Sequence, residues 1–140
     1  MLSLLLAASV LAGPPIDAAG AKPVTAAYYY KVRWGFQQEF ERLFFANHYP
    51  LLKAQTASGR MKGVEVFKPT YHGDGRADWT FLVVITYSNW VAFQGVPGEE
   101  DALIQKLYPD QDKYKKEEQR RFEILDAHWD VPLSPVSPPQ

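Results

Sequence analysis

Two segments that lie far apart in the sequence carry an ionisable side chain at every second position, basic in one segment and mainly acidic in the other. Lys31 and Arg33 are the basic set near the start of the chain, and Asp126, His128 and Asp130 are the mainly acidic set near its end. If the two segments are neighbouring antiparallel strands, the basic set faces the acidic set, because residues two apart in a strand share a face. The pattern then predicts either a structural ladder of ion pairs or a polar pocket.

In the pocket interpretation His128 is a catalytic proton carrier, since histidine is the side chain that most readily gains and loses a proton near neutral pH. Asp126 or Asp130 beside it sets its protonation. Arg33 holds an anionic group of the ligand, and Asp126 lines the same pocket. Both interpretations stay open on the sequence alone.

A second candidate site surrounds His48, in the segment Asn47-His-Tyr-Pro50. Pro50 has no backbone N–H, so a helix that runs through this segment kinks or restarts there. Helix kinks accompany ligand pockets, because freed carbonyl groups can be recruited. His48 is therefore a second candidate for a catalytic residue and Tyr49 for a ligand-binding residue. The alternative is a histidine that only packs against the helix or caps it.

The other reactive residue types give weaker indications. His72 precedes Gly73-Asp74-Gly75, which predicts either a hairpin loop or a lid that binds an anion. The three histidines share no i, i+3 or i, i+4 spacing, so we predict no metal site and no tightly bound cofactor. Haem with His128 or His48 as its axial ligand stays an alternative. The sequence has no cysteine, which excludes disulfides and thiolate catalysis.

The composition predicts one globular domain. Of the 140 residues, 46% are hydrophobic and 22% are charged, which is enough apolar material for a core. The formal net charge is -1, and Lys and Arg are spread along the chain. Proteins that bind nucleic acid normally carry a basic stripe, so we expect no nucleic-acid partner.

Both ends of the chain differ from the rest of it. Leu2–Ala12 is an apolar run too short to span a bilayer, which takes about 20 residues, and Ala19-Gly20-Ala21 fits a signal-peptidase site. We therefore predict a signal peptide over residues 1–21 and a periplasmic or secreted protein without a stable membrane anchor. No Lys or Arg precedes the apolar run, and the alternative is a disordered or membrane-surface tail. Residues 134–140 are rich in Pro and Ser and predict a disordered tail, so the domain covers residues 24–133.

Hydrophobic periodicity predicts the order strand, helix, strand, strand, broken helix, strand. The predicted strands are Ala27–Trp34, Met61–Lys68, Asp78–Tyr87 and Phe122–Val131, with a helix from Phe36 to Gly59, a short helix capped by Ser88, a helix that Pro109 stops, and a polar helix from Asp110 to Arg121. The ferredoxin-like βαββαβ fold solves this order. It is an α+β fold with an antiparallel sheet and helices on one face.

The strand Asp78–Tyr87 is apolar on both sides. Trp79 and every second residue after it form one face, and Leu82 and Val84 make the opposite face apolar too. A strand of this kind is usually central in its sheet and covered on both faces. The helices cover one face, so we expect a second copy of the chain on the other.

Three segments resemble the dimeric α+β barrel superfamily: residues 28–35, the helix with Asn47-His-Tyr-Pro50, and residues 78–88. The resemblance covers most of the domain and rests on pattern, without a catalytic signature. It implies two ferredoxin-like subunits packed sheet to sheet, with a pocket between helices and sheet. The superfamily includes cofactor-free monooxygenases, lactone isomerases, polyketide cyclases and haem-degrading enzymes, so the resemblance names no single reaction.

These observations together predict an exported protein that binds an apolar or aromatic small molecule, as a binder or as a cofactor-independent enzyme. Tyr30 and Trp79 are expected to line the site. The alternative is a non-catalytic dimeric assembly module whose aromatic residues fill the core and the dimer seam. An enclosed cavity at His48, Trp79 or His128 favours the first function, and a collapsed pocket favours the second.

Overall fold

The computed structural model describes residues 22–71 and 78–138. The predicted signal peptide, the His72 loop and the last two residues of the predicted tail lie outside these ranges. The elements are β1 (Val24–Val32), α1 (Gln37–Leu43), a π-helical turn (Phe44–His48), α2 (Tyr49–Ala57), β2 (Met61–Phe67), β3 (Phe81–Tyr87), α3 (Trp90–Gln94), α4 (Glu99–Leu107), α5 (Gln111–Glu123) and β4 (Leu125–Leu133). Within the described ranges, none of these helices has the length and apolar character needed to cross a membrane.

The strands form one antiparallel sheet in the order β2-β3-β1-β4. The first and last strands of the chain are therefore neighbours, as predicted, and β3 lies inside the sheet between β2 and β1. Helical segments connect β1 to β2 and β3 to β4, and they pack on one face of the sheet. This arrangement confirms the predicted ferredoxin-like α+β fold.

An aromatic cluster joins the first helical segment to the sheet. Phe40 and Phe44 are fully buried, and their rings lie 5.3 and 4.8 Å from the ring of Phe81 on β3. The ring of Tyr30 on β1 lies 5.2 Å from that of Phe40. Residues four apart share one helix face, which is why both phenylalanines reach the sheet. Each such ring pair adds about 0.5–1.5 kcal/mol beyond the burial of its area, so the cluster fixes this helix on the sheet.

The first helical segment changes its hydrogen-bonding pattern just before Pro50. The N–H of Tyr49 donates to the carbonyl of Phe44, five residues back, which closes the π-helical turn. Pro50 then lies in the first turn of α2, where the N–H that proline lacks would have no helical partner. The predicted restart at Pro50 is confirmed. The turn leaves His48 at the junction of the two helices, and α2 ends just before Gly59, whose φ is +83°.

The sheet face that points away from the helices, which we call the far face, is largely apolar. Alternate residues of β3 are buried beneath the helices, while Leu82 and Val84 are half-buried on the far face. Tyr29 and Trp129 extend this face across β1 and β4, with their rings stacked at 5.2 Å. Trp129 and Val131 each remain 37% exposed, so this apolar face is open to solvent in a single chain.

The cap of α3 differs from the prediction. Asn89 caps this helix rather than Ser88, because its side chain accepts a hydrogen bond from the N–H of Ala92 at 2.8 Å. The Ser88 hydroxyl instead donates to the carbonyl of Gly59, at the end of α2. Ser88 thereby ties the end of β3 to the end of the first helical segment.

The boundaries of the last strand also differ from the prediction. Phe122 belongs to α5, and β4 begins at Leu125. Pro132 lies inside β4 instead of ending it. β4 is an edge strand, and an edge strand tolerates a residue without an N–H because one side of the strand has no partner.

The predicted charge ladder between the first and last strands is wrong. The register places His128 opposite Tyr30 and Asp130 opposite Tyr28, both on the helix-facing side of the sheet. Lys31 alternates with Tyr30 and therefore belongs to the far face. Residue alternation predicts which side chains share a face of one strand, but it leaves the partner strand's register open, and an offset of one residue exchanges the faces.

Candidate ligand cavity and the residues around it

An inner cavity of about 170 Å³ lies between α2 and the helix-facing side of the sheet. Its apolar lining residues are Leu51, Leu52, Met61, Val83 and Ile85, and its polar ones are Tyr28, Tyr30, His48, Gln55, Arg60, Tyr87 and Glu100. Cavities of about 150 Å³ in other proteins hold benzene. The inner cavity is therefore large enough for one aromatic ring, with polar groups on several sides.

His48 contributes a neutral imidazole to the wall of the inner cavity. Its ring lies 5.4 Å from that of Phe44, and neither ring nitrogen has a hydrogen-bond partner within residues 22–71 and 78–138. Desolvation by burial, followed by the charges of Arg121 and His128, lowers the pKa of His48 to about 3. The imidazole therefore offers one donor and one acceptor to a bound molecule at neutral pH.

The low pKa of His48 predicts that acid destabilises the fold. The unfolded chain binds a proton at His48 below about pH 6.5, whereas the folded chain does not until about pH 3. Stability attributable to this residue is thus present above pH 6.5 and is lost as the pH falls through that window. We expect the free energy of unfolding to drop by about 1 kcal/mol per pH unit between pH 6 and pH 4.

Urea unfolding at a series of pH values measures this dependence. His48→Gln removes the titrating group and should flatten the profile between pH 6 and pH 4. An unchanged slope in the variant would show that other groups cause the acid sensitivity.

Two tyrosine hydroxyl groups meet at the wall of the inner cavity. The hydroxyl oxygens of Tyr28 on β1 and Tyr87 on β3 are 2.7 Å apart. Desolvation is the main cause that raises the pKa of both groups, and for Tyr28 the hydrogen bond to Tyr87 raises it further. Both hydroxyls therefore stay protonated. One hydroxyl proton forms the hydrogen bond between the two oxygens, and the proton of the other hydroxyl is available to donate to a ligand.

A wider outer cleft of about 630 Å³, between the ends of α2 and β3 and the α3–α4 segment, adjoins the inner cavity. The walls of both include Gln55, Arg60 and Glu100. Nε2 of Gln55 donates to Oε2 of Glu100 at 3.0 Å, and the same oxygen lies 3.5 Å from Nη1 of Arg60. These three side chains form the partition between the inner cavity and the outer cleft.

His128 stacks on Tyr30 and does not line the inner cavity. The two rings are 4.2 Å apart and 12° from parallel. Nδ1 of His128 donates to the carbonyl of Tyr29 at 2.9 Å, and Nε2 lies 3.2 Å from Oδ1 of Asp130. Both nitrogens are thus engaged, and this geometry gives His128 a role in holding β4 against β1 rather than in contacting a ligand.

Arg121 on α5 carries a buried charge behind the inner cavity. Its side chain is 2% exposed, and its Nε and Nη2 donate to the carboxylate of Glu118 at 2.9 and 2.7 Å. Its guanidinium carbon lies 4.5 Å from the centre of the Phe122 ring, while Nη1 has no hydrogen-bond partner within the described part of the chain. Burial raises the pKa of Tyr30 to about 12, although the charge of Arg121 opposes that rise. The charge of Arg121 also disfavours a second positive charge at His48 and contributes to the low pKa of that residue.

Four predicted ligand-binding residues lie away from the inner cavity. Arg33 is exposed, and its guanidinium donates to the backbone carbonyl of Glu123. Asp126 is exposed on β4. Tyr49 lines a groove on the other side of α2, and Trp79 lines a separate cleft near the turn between β1 and α1. Of the predicted site residues, Tyr30 and His48 are the two that the inner cavity brings together.

Sequence reasoning missed the partition residues and the tyrosine pair. Tyr28 and Tyr87 share the helix-facing side with the buried residues of their strands, so alternation could have identified them. Gln55, Arg60 and Glu100 come from the end of α2, the turn after it and the start of α4. No local pattern links those positions. Within residues 22–71 and 78–138, no group of three or more His, Asp or Glu side chains is placed to hold a metal ion.

The fold of this chain is shared with solved structures of ferredoxin-like proteins. No protein-family model matches the sequence, and no curated protein matches it. The solution structure of a hypothetical Arabidopsis thaliana protein is 16% identical, with a TM-score of 0.55 over 86% of this chain and 95% of that chain.

Two crystal structures agree with this assignment. One is a DABB family protein with a ferredoxin-like fold from Mesorhizobium loti, 10% identical, with a TM-score of 0.51 over 82% of this chain and 98% of that chain. The other is a dimeric ferredoxin-like protein of unknown function from Thermobifida fusca, 13% identical, with a TM-score of 0.50 over 82% and 92%. Identities this low support a shared fold and carry no reaction with them.

Proposed function

We propose that this chain binds an apolar or aromatic small molecule in the inner cavity. His48 is the observation that carries the proposal. Its neutral imidazole lies at the wall of a ring-sized cavity, and neither ring nitrogen has a hydrogen-bond partner among the described residues. Buried and half-buried polar groups are normally satisfied by protein, ordered water or ligand, so this position suits a ligand with a polar substituent. The same cavity favours ligand binding over a purely structural assembly role.

The polar groups around the cavity suit a cofactor-independent enzyme acting on such a ligand. A histidine with a pKa of about 3 is a poor proton acceptor at neutral pH, so His48 orients or polarises the ligand through hydrogen bonds. The Tyr28–Tyr87 pair supplies a hydroxyl proton on another side. The haem alternative has less support, because pockets for drug-sized ligands already measure about 300–1,000 Å³ and the inner cavity is about 170 Å³.

Titration with fluorobenzene and 4-fluorophenol, followed by ¹⁹F NMR, tests ligand binding. We expect saturable binding of both probes to the native protein, with 4-fluorophenol about tenfold tighter because its hydroxyl adds a hydrogen bond in a desolvated site. Leu51→Trp fills the inner cavity and should abolish binding of both. Leu107→Trp adds the same side chain on α4, outside the cavity, and should leave binding unchanged. If Leu51→Trp bound the two probes as tightly as Leu107→Trp does, the proposal would be contradicted.

We also propose that two copies of this chain associate through the far face. Its support is the row of partly exposed apolar side chains, among them Trp129 and Val131, on a sheet whose other face is already covered. The ferredoxin-like protein from Thermobifida fusca is dimeric, which adds to that support. A second copy would cover the far side of β3 and complete a barrel of two sheets.

Export completes the proposal. Its support is the apolar run Leu2–Ala12 followed by the small residues at Ala19-Gly20-Ala21. Sequencing the N-terminus of the protein from the secreted or periplasmic fraction tests it, and we expect a chain that begins near Lys22. A mature chain that still begins at Met1 would contradict export.

A further inference from the structure

The partition between the inner cavity and the outer cleft consists of one anion held by two donors. The carboxylate of Glu100 accepts a hydrogen bond from the side-chain amide of Gln55 at 3.0 Å and lies 3.5 Å from Nη1 of Arg60. Gln55 is 4% exposed and the Arg60 side chain 21%, whereas the Glu100 side chain is 52% exposed. Gln55 is therefore buried and Arg60 half-buried, and the more exposed Glu100 reaches them from the solvent side.

Arg60 is held in place independently of Glu100. Its Nε donates to the carbonyl of Ala92 at 2.9 Å, and its guanidinium carbon lies 5.9 Å from the centre of the Tyr87 ring. The chain passes close to it at Gly95, where a Cβ would lie 2.6 Å from Nη2. A glycine is needed there both for this approach and for its φ of +73°. Removal of Glu100 would thus leave Arg60 where it is.

The Arg60–Glu100 contact is loose by the standards of ion pairs. Charge-assisted N–H···O bonds between a guanidinium and a carboxylate are typically about 2.7–2.9 Å long, and the 3.5 Å separation here exceeds that range. A half-exposed pair of this kind contributes little to stability. A ligand carboxylate that approached from the inner cavity could replace Glu100 at both donors and make a shorter contact.

We propose that Gln55 and Arg60 form the binding site for the carboxylate of a single-ring aromatic acid, whose ring occupies the inner cavity, and that Glu100 fills this site in the absence of ligand. This inference rests on the proposed function and names its ligand class. The ring lies against Leu51 and Val83, the carboxylate lies at the partition, and His48 contacts the far side of the ring. Glu100 turns toward the outer cleft as the acid enters.

Titration with 4-fluorobenzoate and its neutral counterpart 4-fluorobenzamide, followed by ¹⁹F NMR, separates the two proposals. The native protein should bind the acid more tightly than the amide. Glu100→Gln removes the competing anion and should tighten 4-fluorobenzoate binding about tenfold, while Arg60→Met should weaken it at least about tenfold. Neither change should alter 4-fluorobenzamide binding more than about twofold. Asp101→Asn, which removes the same charge from the same helical turn, should change neither affinity.

The outcomes of this titration distinguish failure of the carboxylate site from failure of the ligand cavity. Binding of the amide without preference for the acid, or an acid affinity that Glu100→Gln leaves unchanged, overturns the carboxylate site but leaves the ligand cavity intact. Failure of both probes and of fluorobenzene to bind overturns both. Circular dichroism is used to check whether Arg60→Met is folded. If that variant is unfolded, the Glu100→Gln variant, whose changed side chain is half-exposed, decides the result.

Discussion

Glu118→Gln is expected to lower the free energy of unfolding by about 3 kcal/mol, although the exchange is nearly isosteric. The reason is that the substitution leaves the buried charge of Arg121 without its ion-pair partner. Arg121 is 2% exposed and Glu118 is its ion-pair partner, so the variant leaves a guanidinium in the interior without the counter-charge that Glu118 supplies. Removing one partner of a buried pair costs far more than the pair itself contributes. Urea unfolding at pH 7, monitored by circular dichroism, measures the loss.

Two further variants show whether the buried charge is the cause. Glu118→Gln combined with Arg121→Met removes both charges, and it should recover most of the lost stability because methionine packs well among aromatic rings. Glu123→Gln makes the same exchange at an exposed position of α5 and should change stability by less than about 0.5 kcal/mol. A double variant no more stable than Glu118→Gln would show that Arg121 has a packing role that its charge does not explain.

Trp129→Glu is expected to convert the proposed homodimer into a monomer. Trp129 stacks on Tyr29 on the far face and is 37% exposed in a single chain. Tryptophan is among the residues that most often contribute about 2 kcal/mol or more to an interface, and the new carboxylate would be buried against the second copy without a partner. The dimer dissociation constant should therefore rise at least about 30-fold. Sedimentation velocity over a range of protein concentrations measures it.

Trp90→Glu is the matched control for this experiment. Trp90 lies on α3, on the helical side of the molecule, and is 54% exposed. The same substitution there should leave the dimer intact. A native protein that is monomeric at all concentrations would contradict the dimer, and with it the explanation for a strand that is apolar on both sides.

The fold could be predicted because its signals are local. The two-sided apolarity of the predicted strand Asp78–Tyr87 indicated a central strand, and β3 is one. Pro50 marked the restart of the first helical segment, and Gly59 marked its end. Each of these features depends on a few neighbouring residues and on steric rules that hold in any protein.

The candidate site could be predicted only in part, because it depends on distances between elements. His48 and Tyr30 were identified from residue type and alternation. The register between β1 and β4, by contrast, differs from the expected one, which moved Lys31 away from His128. Arg121 lies in a helix of mostly charged residues, where nothing in the sequence distinguishes a buried guanidinium from a solvated one. Its burial follows from how α5 packs, and packing is not a local property.

The two outer strands of the sheet limit how copies of this protein can assemble. In β2 the pairing is irregular between Met61 and Gly63, and β4 contains Pro132, which has no N–H to offer. Both features make a strand a poor template for lateral addition of another chain. Growth of the sheet into an open-ended fibril is thereby discouraged at both borders. The far face remains available for association, and in the proposed dimer the two copies cover this face of each other.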